Sequence, residues 1–340
     1  MSKAEFDSGW EACRCCDYDA ARQVAAREVN GDSVVSQMRG HATLAVCDTF
    51  QNEVVRGVGH FREALFLSET CGHIWDSRLE LVHGLLQREL GEHNLAVDIF
   101  EGIYRGVLRH ADPLETFYAA FVLGMGFFRM SRFPEAIEVW DAAEGYLGDG
   151  AHPVKVAHLR AMKGAVNLYR TEWQEAERCF DEAEELFTAL DVEDQLAYTR
   201  AGRAAAWAKQ GDPQRAIGPL QRAVRYAEAR LHSRLESLWL LHLAEAYVQV
   251  GQEELALESY VVCSQRAVES RLFGRGRASY HAVLKYLEAR GERDRLLDYH
   301  RKYLEVEKTI QATQKADREN SLNLLQAVRE WRAQRDSRLK

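Results

Sequence analysis

The chain has 340 residues, more than one ordinary domain of roughly 100–200 residues holds, so its length predicts two domains or one elongated array. Apolar residues make up 46% and charged residues 28%, which excludes a largely disordered chain, and 5 prolines with 23 glycines favour long helices over a loop-rich all-β fold. A net charge of −8 argues against broad, sequence-independent binding to nucleic acid or to an anionic membrane face.

The N-terminal stretch Met1-Ser2-Lys3-Ala4-Glu5-Phe6-Asp7 has acids where a secretory signal needs an apolar core. The longest nearly unbroken apolar run, Phe117 to Phe128, falls short of the roughly 18–20 residues of a membrane helix. Seven cysteines, an odd number with scattered spacing, predict a reducing cytoplasmic setting rather than a disulfide framework. Cys13-Arg14-Cys15-Cys16 has no second cysteine pair at zinc spacing, so no metal site is expected.

A period of 40 organises the chain. The turn Leu90-Gly91-Glu92 leads to Ala96 and Phe100, Met130-Ser131-Arg132 to Ala136 and Trp140, and Arg170-Thr171-Glu172 to Ala176 and Phe180. Gln210-Gly211-Asp212 leads to Ala216 and Leu220, and Val250-Gly251-Gln252 to Ala256 and Tyr260. Arg290-Gly291-Glu292 repeats the turn a sixth time, with Leu296 in the alanine slot. Weaker, irregularly spaced copies appear at Phe61-Arg62-Glu63-Ala64 and at Tyr18-Asp19-Ala20, as terminal repeats often show. Twelve residues before each anchoring alanine stands a small residue: Gly84, Gly124, Gly164, Ala204 and Ala244. Nine before it stand Phe127, Trp207, Tyr247 and Leu287, although Gln87 and Asn167 break that column.

These columns predict two antiparallel helices per unit, A then B, crossing closely at the small residues. Pro134 and Pro213 fit the first turn of a helix B, where a missing N–H costs little. Pro113 and Pro153 fit the opening of a helix A, and Pro219 is expected to kink its helix. The expected organisation is irregular repeats over 1–76, six regular units over 77–304, and a C-terminal helix over 305–340.

This pattern resembles the tetratricopeptide repeat family, with units longer than the family's usual ones, as in bacterial signalling regulators. The resemblance implies an all-α fold: an α-solenoid, a right-handed superhelix of helix pairs whose concave face binds peptides or protein segments. Carried onto this sequence, the family's concave positions on helix A fall on Tyr118, Phe121, Met125, Phe128 and Arg129. In the next units they fall on His158, Ala161, Ala165, Leu168 and Tyr169, and on Tyr198, Ala201, Ala205, Ala208 and Lys209. One unit later they fall on Leu238, Leu241, Glu245, Val248 and Gln249. Tyr118, Phe121, Met125, Phe128, Arg129, His158, Tyr169, Tyr198 and Lys209 are therefore the candidate partner-binding residues. Whether they line an open groove or a packed interior stays open. The asparagines of the family's clamp for chaperone tails are absent, with Val122, Met162 and Gly202 in their slots.

Residues 305–336 hold no proline or glycine, and Gln311 to Asn320 is almost wholly polar. This composition predicts one long helix, with Leu322, Leu325, Val328 and Trp331 as candidate oligomerisation residues. It either caps the last repeat or makes a homodimer. It also resembles the helix that joins tetratricopeptide sensor arrays to output domains. Its basic tip, Arg329 to Lys340, reads as a solvated helix end.

No phosphate-binding loop, zinc-protease or nucleophile-elbow motif occurs, and the histidines stand singly. The expectation is a non-enzymatic protein- or peptide-binding scaffold without a cofactor, acting in signalling or regulation. The alternative is a peptide-responsive transcriptional regulator, whose array this one resembles, although residues 1–60 show no clear helix-turn-helix.

Overall fold

The computed structural model describes residues 8–14, 18–51, 53–72, 77–108, 113–147 and 152–338. Every regular element among them is an α-helix. The chain divides into two compact units, one of residues 1–155 with 314–340 and one of residues 156–313.

In the first unit, α1 (Gly9–Arg14) and α2 (Tyr18–Val29) lead into α3 (Val34–Phe50), which packs on α4 (Val54–Thr70). The regular pairs α5 (Ser77–Glu89) with α6 (His93–Val107) and α7 (Pro113–Arg129) with α8 (Phe133–Tyr146) follow. α9 (Pro153–Tyr169) opens in this unit and continues into the second, where α10 (Trp173–Ala189) follows it. There α11 (Glu193–Lys209) packs on α12 (Pro213–Ala229), and α13 (Ser233–Gln249) packs on α14 (Glu253–Glu269) and precedes α15 (Phe273–Ala289). The last helix, α16 (Arg293–Arg338), runs unbroken for 46 residues. Its first part is the B helix of the sixth regular turn, and its residues 314–338 belong to the first unit.

The small-residue column explains the pairing. A Cβ placed on Gly124 of α7 would lie 2.2 Å from Nε1 of Trp140 in α8, and one on Gly84 would lie 2.6 Å from the Phe100 ring. Trp140 is fully buried, and its Nε1–H donates to the Phe121 carbonyl oxygen at 3.2 Å. In the second unit the Phe180 ring lies between two helices, within 3.0 Å of a Cβ on Gly164 and 2.4 Å of one on Gly202. The absence of a side chain is what lets each ring lie flat on the facing backbone.

The turns are equally regular. Gly91, Ser131, Thr171, Gly211, Gly251 and Gly291 all have positive φ. The N–H of the next residue reaches back to a helix carbonyl: Arg132 to Phe127 at 2.9 Å, Glu172 to Asn167 at 2.9 Å and Asp212 to Trp207 at 3.0 Å. These are the bonds that close a helix in a left-handed cap. Pro134 and Pro213 occupy first turns of α8 and α12, and the Asp212 side chain accepts from the Arg215 N–H at 3.3 Å. Pro219 lies inside α12, which continues past it to Ala229.

The C-terminal helix divides its four candidate residues between buried and exposed positions. Its buried residues in the first unit are Asp317, Ser321, Leu324, Val328 and Trp331. Leu322, expected on the same stripe as Val328 and Trp331, is 58% exposed, and Leu325 is half-buried. Val328 and Trp331 are covered within the chain, so the four candidates do not form one free face. The seam instead steps by four and three residues, the spacing that keeps one helix against another. The facing helix is α5. Ser321 Oγ–H donates to Gln87 Oε1 at 2.7 Å, and the Arg332 guanidinium lies 3.9 Å from Glu80. Gln87 breaks the aromatic column because its amide meets this helix.

Gly124→Ala should lower stability by about 1–3 kcal/mol, since the Trp140 ring has nowhere to go. Gly59→Ala, on an exposed helical site with nothing within 4 Å, should raise it by about 0.5–1 kcal/mol. Thr171→Gly should stabilise by a few tenths to about 1 kcal/mol, because a β-branched residue is strained at φ 61°. Urea unfolding of the three variants checks both signs.

Candidate functional site

On each A helix the expected inner-face positions recur every three or four residues, so they share one side of the helix. In the first unit that side is filled. Tyr118 is only 2% exposed and Phe121 only 6%. The Trp10 ring meets Tyr118 edge-on at 6.2 Å, and Phe117 stacks on Phe121 at 5.9 Å. Met125 and Phe128 are half-buried, with the Phe128 ring 6.0 Å from Phe133. Arg129 reaches Glu89 Oε2 at 3.4 Å. Of the two alternatives left open for the inner-face residues, Tyr118 and Phe121 take the packed interior. The reason is a neighbour that the repeat pattern does not describe, since Trp10 belongs to the irregular N-terminal helices.

The second unit is more open. His158 is half-buried and sets its ring edge-on to Phe187 at 5.2 Å. Ala161, Ala165, Ala201 and Ala205 keep the floor low and buried. Tyr198 packs edge-on against Trp239 at 5.3 Å, and burial pushes its hydroxyl above the usual phenol range. Tyr169 stands 48% exposed and Val248 42% exposed.

Between them lies a charged cluster. Lys209 Nζ of α11 is 2.9 Å from Glu245 Oε2 of α13, and His242 Nδ1, one turn before Glu245, is 3.4 Å from the same oxygen. Burial works against a charge on Glu245. The hydrogen bond and charge of His242, with the Lys209 ammonium, outweigh it and hold the carboxyl down at about 2. The structure thus joins the sequence candidate Lys209 to Glu245 and to His242, which single-histidine reasoning had set aside. The signal was available: His242 and Glu245 are three apart on one helix, and Lys209 and Glu245 both fall at expected inner-face positions of successive A helices.

Among the described residues no group of three or more His, Cys, Asp or Glu could hold a metal ion. The described cysteines are free thiols, buried except for the half-buried Cys71, and Cys15 and Cys16 lie outside the described residues. No helix among the described residues is long and apolar enough to cross a membrane.

No family model matches the sequence, and no curated protein matches it. Solved structures do match. A Rap protein complexed with competence and sporulation factor is similar at a TM-score of 0.63 and 10% identity, over 92% of this chain and 90% of that one. The Rap conjugation gene regulator of plasmid pLS20, in complex with the Phr* peptide, is similar at 0.62 and 12%, over 95% and 88%. The apo form of the quorum sensor NprR from B. thuringiensis is similar at 0.51 and 13%, over 82% and 84%. The fold is that of the tetratricopeptide repeat. On this fold the face from Tyr169 through Lys209 and Glu245 to Val248 is the more exposed part of the A-helix side of the second unit.

Because the Glu245 carboxyl is held below its ordinary value near 4.5, its contribution to stability is complete above that value and is lost as pH falls towards about 2. Glu245→Gln should remove that part of the acid-unfolding curve and leave the curve above pH 6 parallel to the parent. Unfolding midpoints measured across pH 2–7 check it.

Proposed function

We propose that this chain is a non-enzymatic scaffold that binds a protein or peptide segment in a signalling or regulatory role. The segment lies along the A-helix side of the second unit. The observation that carries this reading is the change of that side from packed aromatic core at Tyr118 and Phe121 to exposed Tyr169 and Val248 flanking a paired lysine and glutamate. An exposed aromatic beside small residues gives an extended or helical segment a place to bury apolar side chains. Lys209 and Glu245 add opposite charges that fix direction, because a ligand carboxylate and a ligand cation can each exchange into the pair. Likeness to Rap and NprR supports a peptide ligand, since two of the structures this chain is similar to are of complexes with a signalling factor or peptide. The reading also places the chain in the cytoplasm, in keeping with its free cysteines.

The partner is identified by placing a photo-crosslinking residue at position 169 of the full chain and reading the adducts by mass spectrometry. Once it is known, Tyr169→Ala and Lys209→Glu should each weaken binding roughly tenfold, the effect of losing about 1.4 kcal/mol at a contact centre. Phe66→Ala, on an exposed face of α4 in the first unit, should leave binding unchanged. Equal titration curves for all three variants and the parent would remove this face from the reading.

A further inference from the structure

The segment 314–338 of α16 is attached to the first unit by a narrow seam. Of its five buried positions, Leu324, Val328 and Trp331 are apolar, while Asp317 and Ser321 are polar. The side away from the seam, including Arg318, Glu319, Leu322 and Arg329, faces solvent. The span 311–316 that leads into the segment exposes every residue except the half-buried Thr313. A polar helical stretch without tertiary packing is marginal in water, so this span is where the helix opens at least cost.

The seat on α5 is selective. Gln87 and His83 are buried, and Gln87 stands between two partners: its Oε1 accepts from Ser321 Oγ–H at 2.7 Å and its Nε2 lies 3.2 Å from His83 Nε2. Phe61 stacks on the far side of the His83 ring at 6.1 Å. A helix with an apolar residue in place of Ser321 leaves the Gln87 carbonyl oxygen buried without a donor, and a single such atom costs more than a hydrogen bond adds. Near the other end Arg332 answers Glu80. A polar group in a helical seam fixes register and selects its partner. The seat is therefore matched to one sequence, and a second copy of this chain carries that same sequence.

We propose that the α5 seat accepts segment 314–338 from a second copy, so that two chains dimerise by exchanging C-terminal helices. Each contact in the exchanged dimer is one the monomer already makes, and the new element is the opened span at 311–316. The resident segment competes at an effective concentration of the millimolar order, so exchange is slow and favoured by high protein concentration. This proposal is independent of the peptide-binding reading, which concerns the second unit.

The test uses full-length chains and a fluorescent peptide of residues 314–338. Leu324→Ala with Val328→Ala weakens the resident segment and leaves the seat intact, so this variant should bind the labelled peptide roughly tenfold more tightly than the parent. In that weakened background Gln87→Arg should abolish binding of the labelled peptide, and Glu80→Lys, at a half-exposed position, should lower it while leaving the circular dichroism and melting of the weakened variant. Light scattering of the parent should show dimers that grow with concentration, and energy transfer between donor-labelled and acceptor-labelled parent chains should show that the dimers mix. The proposal is overturned if the weakened variant binds no better than the parent, if adding Glu80→Lys to the weakened variant leaves its binding unchanged, or if no mixed dimers form at any concentration.

Discussion

How closely two helices of a pair approach decides everything else in this chain. The approach is set where a ring of helix B meets a residue of helix A that has no side chain. Trp140 on Gly124 and Phe100 on Gly84 bring the two axes together. The same rings then reach the next A helix: Phe180 touches both Gly164 and Gly202, and Phe100 lies 3.4 Å from a Cβ on Gly126. One side chain therefore fastens its own pair and fixes the spacing to its successor. At Ala204, where alanine replaces glycine, the residue in the ring position is Leu220, whereas Ala244 shares its cluster with the ring of Tyr260. Packed interiors allow little freedom beyond such exchanges of volume.

That dependence is why so much of the fold was legible. A contact made once per unit leaves a column in the sequence, and columns at a spacing of 40 are visible without any structure. The positions that broke the columns were informative too, but only in hindsight. Gln87 interrupts an aromatic series because it answers Ser321, a residue 234 positions away. No local pattern encodes a partner that distant. The same limit governed the candidate site. The repeat assigns Tyr118 and Tyr169 to the same side of successive A helices, yet Tyr118 packs against Trp10 and is buried while Tyr169 is 48% exposed. Periodicity says which side a residue takes, and the non-repeating elements decide whether that side meets solvent. The final helix showed a third case. Its apolar residues suggested the stripe 322, 325, 328 and 331, whereas the buried seam includes Asp317 and Ser321, and a stripe traced through apolar residues alone passes over both.

The charged cluster on the second unit has the opposite character from these contacts. Lys209 and Glu245 come from neighbouring A helices, and His242 lies 3.4 Å from the same oxygen. Their strength depends on partial burial, which raises the cost of a lone charge and the gain from pairing it. The apolar contacts hold helices at a fixed distance, while this cluster pairs charges between neighbouring A helices.

The turns carry one more implication. Ser131 and Thr171 adopt the left-handed backbone found at Gly91, Gly211 and Gly251, although neither is suited to it. The turn geometry is imposed by the helices on either side and by the returning N–H bond, with glycine an easing rather than a requirement. Each turn is then interchangeable with any other. A deletion of residues 172–211 joins Thr171 to Asp212 and returns the chain to the same point in its cycle, every column still in step. Length in such a chain is a discrete variable, open to gain or loss of whole periods by recombination, while a change of one residue shifts every helix that follows.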